Sequence, residues 1–110
     1  MQEYAAIHDL QPLKDLGGGV TRRVLAHNPE MLAAEVAFET GAAGSVHTHP
    51  HTQISYVLSG RFRYTIDGKD VDLGPGDSVV VPSGLPHGTV CLAQGALLDV
   101  FTPERTDFLG

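Results

Sequence analysis

No stretch of this chain carries apolar residues at the spacing of an amphipathic helix. Short runs rich in β-branched and aromatic residues recur instead, separated by glycine, proline and aspartate. Such a chain can bury apolar surface only on alternate residues of short strands, so an all-β fold is expected. The runs predict strands at 21–26, 32–39, 53–59, 61–66, 70–73, 78–81, 88–92 and 97–102, eight in all, which suit a jelly-roll barrel. The 13 Gly and 7 Pro supply the turns this requires. Asp67 and Gly68 fall between two runs and should close a two-residue hairpin, because a type I′ turn needs positive φ at both positions. Residues 73–77, Leu-Gly-Pro-Gly-Asp, form a second turn, and Asn28 and Pro29 separate two further strands.

A length of 110 residues supplies one core and little more, and no linker-like composition or fixed-period repeat divides it. Residues 1–19 read as an N-terminal arm and 20–110 as the barrel domain. Arms of this kind often pack along a second subunit, so a homodimer is expected. The net charge of −6 and the pI near 5.3 offer no field for phosphate backbones, and Arg22 and Arg23 are the only adjacent basic pair. Nucleic acid is therefore not an expected partner. No segment approaches the roughly 20 apolar residues of a membrane helix, and the first residues lack the basic start of a signal peptide. The single Cys91 can form no internal disulfide and reads as a small buried hydrophobe. A cytoplasmic protein with no membrane partner is expected.

Candidate chemistry concentrates in two segments. In residues 41–53, GAAGSVHTHPHTQ, extended backbone would place His47 and His49 on one face. Pro50 would turn the corner, and Gln53 would re-enter on the next strand with its amide oxygen near the same point. In residues 76–87, a strand and a Pro-Gly turn lead to His87, which opens the returning strand and can complete the set. Three imidazoles and a carbonyl oxygen suit one divalent transition metal, whether nickel, manganese, iron, cobalt or zinc, with ligand distances of about 2.0–2.2 Å. Four protein ligands leave positions open on a five- or six-coordinate ion, which favours catalysis over a purely structural role. His8 and His27 lie outside both segments and read as surface residues. His51 is expected to be turned away from His47 and His49 by Pro50.

Gly41, His47, His49, Gln53 and Gly60 match the spacing of the first cupin motif, and Gly76, Pro82, Gly84 and His87 match the second. On these residues the chain resembles the cupin superfamily, which implies a single-domain double-stranded β-helix. Gln53 stands where cupins usually carry glutamate. A neutral amide leaves the metal's charge uncompensated and favours an anionic ligand. Residues 47–62, 74–78 and the tail 97–109 further resemble the KdgF-type pectin degradation cupins, in which glutamine at this position is expected. That resemblance implies metal-dependent linearisation of 4,5-unsaturated monouronates, small anionic sugars from pectin or alginate breakdown, to the open-chain 4-deoxy-5-keto uronate. It also implies that Asp99 is the acid/base residue, Phe101 a wall of the sugar pocket and Arg105 a partner for the substrate carboxylate. Asp99 and Phe101 share strand parity and so face one side.

Cupins host several chemistries on one scaffold, so two other classes stand beside this one. A metal-dependent dioxygenase would need a redox-active ion and would consume oxygen. A non-catalytic sugar-binding cupin would bind without turnover. The sequence leaves the metal and the roles of Arg61 and Arg63 open.

Overall fold

The computed structural model describes residues 2–110. Eight strands follow in chain order: β1 (Leu13–Gly17), β2 (Val20–Asn28), β3 (Met31–Phe38), β4 (Ala43–His47), β5 (Thr52–Ile66), β6 (Lys69–Leu73), β7 (Ser78–Val81) and β8 (His87–Thr102). All pairings between them are antiparallel. The main path runs β1-β2-β3-β8-β5-β6, with β4 added to β8 and β7 to β5. The long strands β5 and β8 pair with each other from Thr52↔Thr102 to Ile66↔His87 and bend, so each takes part in both walls of the barrel. This is the all-β jelly roll expected from the sequence.

The sequence suggested pairs of short strands at 53–59 and 61–66, and at 88–92 and 97–102. Each pair is one continuous strand. The interruptions are bulges, not turns: the β5/β8 register shifts around Ser59, Gly60 and Arg61. Gly60 has φ +78°, and a Cβ there would collide with the Ala93 and Gln94 carbonyls, while one on Gly95 would collide with the Ser59 carbonyl. The bulge also switches parity on β5, so that Gln53, Ser55 and Val57 point inward before it and Phe62 and Tyr64 after it.

Two strands, β1 and β4, were not in the expected set. Neither has a buried residue, so neither shows the apolar alternation that betrays a strand. β1 lies within residues 1–19 and pairs with β2 as an edge strand. The residues before it are tied down by Arg23, whose guanidinium donates to the His8 and Gln11 carbonyls at 3.3 and 2.7 Å. Asp67 (φ 50°) and Gly68 (φ 76°) close the β5–β6 hairpin with Ile66 opposite Lys69, the conformation of a type I′ turn.

The main apolar core is a cluster of side chains from β2, β3, β5, β6 and β8. Val36, Phe38, Val57, Phe62, Leu73 and Leu97 lie at its centre, with Phe38 and Phe62 edge-to-face at 5.3 Å. Cys91 belongs to this cluster, and burial raises its thiol pKa. A smaller cluster of Leu32, Ala34 and Phe101 lies apart. Polar inward-facing side chains occupy the space that these clusters leave.

Candidate metal centre and cavity

Antiparallel pairing of β4 with β8 sets the last residue of one, His47, opposite the first residue of the other, His87. His49 lies two residues beyond β4, where its carbonyl accepts a 2.9 Å hydrogen bond from the Gly84 amide. One ring nitrogen from each histidine comes within 4.8 Å of the others. The ring centres are 4.5 Å apart for His47 and His87, 4.6 Å for His49 and His87, and 5.6 Å for His47 and His49. Gln53, near the start of β5, reaches the same point, with Oε1 2.9 Å from His49 Nε2. The structure thus brings all four expected ligands together.

The hydrogen bonds settle which atoms face the centre. Nδ1 of His47, His49 and His87 lies 2.8, 3.0 and 2.9 Å from the carbonyls of Ser45, His51 and Leu85. A carbonyl only accepts, so each Nδ1 carries the proton and each Nε2 keeps its lone pair. Burial lowers the pKa of His49 and His87, which keeps both rings neutral. His87 Nε2 is buried without a partner. The Gln53 amide is oriented by its own Nε2, which donates to Ser55 Oγ at 2.9 Å. His49 Nε2 and Gln53 Oε1 are therefore two acceptors facing each other with no proton to share. A cation bound by both resolves that conflict, and three imidazole nitrogens with one amide oxygen fit a borderline divalent ion.

Behind Gln53 the polar chain continues into the barrel. Ser55 Oγ donates to Asp99 Oδ1 at 2.6 Å and lies 2.6 Å from the Tyr64 hydroxyl, which is buried. Ser55 has one proton, and Asp99 takes it, so Gln53 and Tyr64 must be donors to Ser55. This explains an amide rather than a carboxylate at position 53, because glutamate would have no proton to give. Burial pushes the Asp99 carboxyl up to about 6, against the opposing pull of Ser55, Gln53 and Arg105. Burial likewise raises the Tyr64 phenol. Ser55 and Tyr64 were not singled out in the sequence. The available signal was a polar residue at an inward parity position, and Ser55 shares that parity with Gln53.

His47, Gln53, Tyr64, His87 and Asp99 line a cavity of about 350 Å³ that also exposes Phe101, Arg105, Phe108 and Arg22. Phe101 packs edge-on against His49 at 5.8 Å while also belonging to the Leu32 cluster, so it is both core and wall. Arg105 donates through Nε and Nη2 to Asp107 at 3.0 and 2.9 Å, which leaves its Nη1 edge for another anion. His51 is not turned away, because its ring lies 5.5 Å from His49 and 6.3 Å from Phe101, beside the triad. Arg61 and Arg63 flank the inward Phe62 and so point outward, Arg63 onto Asp72. His8 pairs with Glu35, and His27 with Glu104, away from the centre.

Residues 34–101 match the cupin domain family. The pectin degradation protein KdgF of Dickeya dadantii (strain 3937) is 37% identical over 94% of this chain and 96% of its own length. The crystal structure of an RmlC-like cupin from Shewanella frigidimarina superposes with a TM-score of 0.89 at 40% identity, covering 96% of this chain and 98% of that one. KdgF from Halomonas sp. superposes with the same TM-score at 37% identity, covering 94% and 97%.

Proposed function

We propose, from the premise that the chain belongs to the cupin family and groups with its KdgF-like members, that it linearises 4,5-unsaturated monouronates to the open-chain 4-deoxy-5-keto uronate. The observation that carries this reading is the continuous polar path from His49 through Gln53 and Ser55 to Asp99, beside a cavity lined also by Arg22 and Arg105. A metal site and an acid/base carboxyl thus face one small space.

His47, His49, Gln53 and His87 would hold the divalent ion, which when bound supplies Lewis acidity toward a substrate oxygen. Arg105 offers its free Nη1 edge to the uronate carboxylate, and Phe101 forms a flat apolar wall for the ring. Asp99 takes the proton of the anomeric hydroxyl as the ring C–O bond breaks. That bond's electrons leave on the ring oxygen, generating an aldehyde and an enolate. Asp99 then returns the proton to the carbon of the C=C bond that becomes saturated, and the enolate becomes the ketone. The reaction is an isomerisation, with no atom gained or lost. A carboxyl with a pKa near 6 is suited to both transfers, because neither protonation state is far away in energy near neutral pH.

The outer sheet face supports assembly as a homodimer. Val80, Ile54, Val100 and Ala33 are cross-strand neighbours on four adjacent strands and form one apolar row, with Val80 58% and Ile54 50% exposed.

Following the cyclic signals of the unsaturated uronate by NMR tests the activity. Acceleration by the purified protein that disappears after chelation and returns with added metal is expected. Conversion unaffected by chelation would remove the metal from the reading, and no acceleration at all would remove the reaction.

A further inference from the structure

Arg22 stands where an apolar side chain belongs. On β2 it is opposite Val36, and like its neighbours Val20 and Val24 it points to the inner face of the barrel. Arg23, one residue on, points outward and anchors the N-terminal segment. Two adjacent arginines on one strand therefore have different tasks, and the inward one lines the same cavity as His47, His87 and Asp99.

An inward arginine is normally satisfied by a carboxylate or by carbonyls. Arg22 has neither among the described residues. Its guanidinium carbon lies over the Phe108 ring, 3.7 Å from the ring centre. Stacking of this kind holds the plane of the group while leaving its hydrogen-bonding edges open. Arg105 lies against the same ring at 4.3 Å. Among the described residues, the only carboxylate bonded to either guanidinium is that of Asp107, which occupies the Nε/Nη2 edge of Arg105. Two cations and one anion leave this rim with an unmatched positive charge and one whole unoccupied fork. Burial lowers the pKa of Arg22, consistent with a charge that lacks an acceptor.

We propose that Arg22 supplies the fork that receives the substrate's carboxylate, with Arg105, which lies against the same Phe108 ring, adding its free Nη1 edge. The inference rests on the uronate reading above and deepens it. It makes the distinction between a uronic acid and a neutral sugar a property of β2, far in sequence from the metal ligands. A planar carboxylate matches a guanidinium fork with two parallel hydrogen bonds, which an ammonium cannot reproduce.

The test uses binding as well as turnover, on full-length protein loaded with one equivalent of nickel. Calorimetric titration with D-galacturonate and with D-galactose separates carboxylate recognition from sugar recognition. Wild type should prefer the acid, and Arg22→Gln should lose roughly 10- to 100-fold in affinity for the acid alone. Arg22→Lys should recover only part of this loss. With the unsaturated uronate, Arg22→Lys should raise KM while kcat stays near wild type. Thermal melts and nickel content of both variants should match wild type, which separates a binding loss from misfolding. Unchanged galacturonate affinity in Arg22→Gln, or a wild type that does not distinguish acid from neutral sugar, overturns the inference. Failure of wild type to open the unsaturated uronate, with the galacturonate preference intact and dependent on Arg22, overturns the catalytic reading instead.

Discussion

Asp99 is 8% exposed, and its carboxyl is held up to about 6 against an ordinary value of 3.8. The native state therefore binds this proton more tightly than the unfolded chain does. The resulting stabilisation is complete below about pH 3.8 and is lost as pH rises through about 6, amounting to roughly 3 kcal/mol at most. Asp99→Asn keeps the shape and removes the titration. In chelated protein, urea unfolding at pH 5 and 7.5 should show the variant gaining on wild type at the higher pH. A constant difference between the two would mean that the carboxyl is not held up. The same variant should retain metal and lose about 10²- to 10⁴-fold in turnover, the usual worth of a positioned acid/base group. Full turnover in Asp99→Asn would exclude Asp99 from proton transfer. Ser55 is the junction on which Gln53, Tyr64 and Asp99 converge. Ser55→Ala strands two buried donors and one acceptor, so a stability loss of about 1–3 kcal/mol is expected by urea titration. Its kcat should fall with little change in KM, because the hydroxyl orients Asp99 without facing the sugar. A variant with wild-type kcat would show that Asp99 needs no such support.

At the level of elements, the bend shared by β5 and β8 decides where inward side chains point. Gly60 and Gly68 have nearly the same φ, +78° and +76°, in different surroundings: a Cβ on Gly60 meets two carbonyls, and one on Gly68 meets nothing within 4 Å. Gly68→Ala should cost about 1 kcal/mol from backbone strain alone. Gly60→Ala should cost at least about 2 kcal/mol, since strain is joined by overpacking, and should disturb the parity switch that sets Gln53 and Tyr64 in one cavity. Equal losses in the two variants would deny the close crossing. Gly68 lies in the hairpin turn expected there, whereas Gly60, where a strand break is expected, lies in a bulge within one strand. A glycine that interrupts a run of β-formers looks the same whether it turns the chain or bulges it, and only the partner strand distinguishes the two. His47, His49, Gln53 and His87 were legible because two short segments carry them at fixed spacing. β1 and β4 were not, because their side chains are unburied and leave no alternation to read. Arg22 was visible as half of a basic pair, but its inward direction depends on the register of β2 against β3, which no local pattern states.

At the scale of the whole molecule, the proposed homodimer rests on one face. Across β7, β5, β8 and β3 the row Val80, Ile54, Val100 and Ala33 presents only apolar side chains outward, and Tyr56 and Leu98 extend it in the next row. Within the N-terminal segment Tyr4 is 90% exposed and Leu10 72%, so that segment is anchored at Arg23 yet leaves its largest apolar side chains uncovered. Single exposed hydrophobes are ordinary, but a contiguous row on a rigid sheet with an apolar arm nearby is what an isologous pair of sheets buries. In the proposed homodimer a second copy of this chain would cover both features, since each subunit brings an arm and a face. Ile54→Asp sets a charge in the middle of the row without touching the interior, so it should give a folded monomer by light scattering with its metal content intact. Val71→Asp, at a comparably exposed position on β6 away from the row, should leave the dimer unchanged. A wild-type mass of one chain at micromolar concentration, or a dimer that survives Ile54→Asp and a second charge at Val80, would assign the row to some other contact. His47, Gln53, His87, Asp99 and Arg105 meet at one cavity within a single chain, so monomeric Ile54→Asp should keep most of its turnover. A large loss of activity on dissociation would instead mean that the partner completes the site.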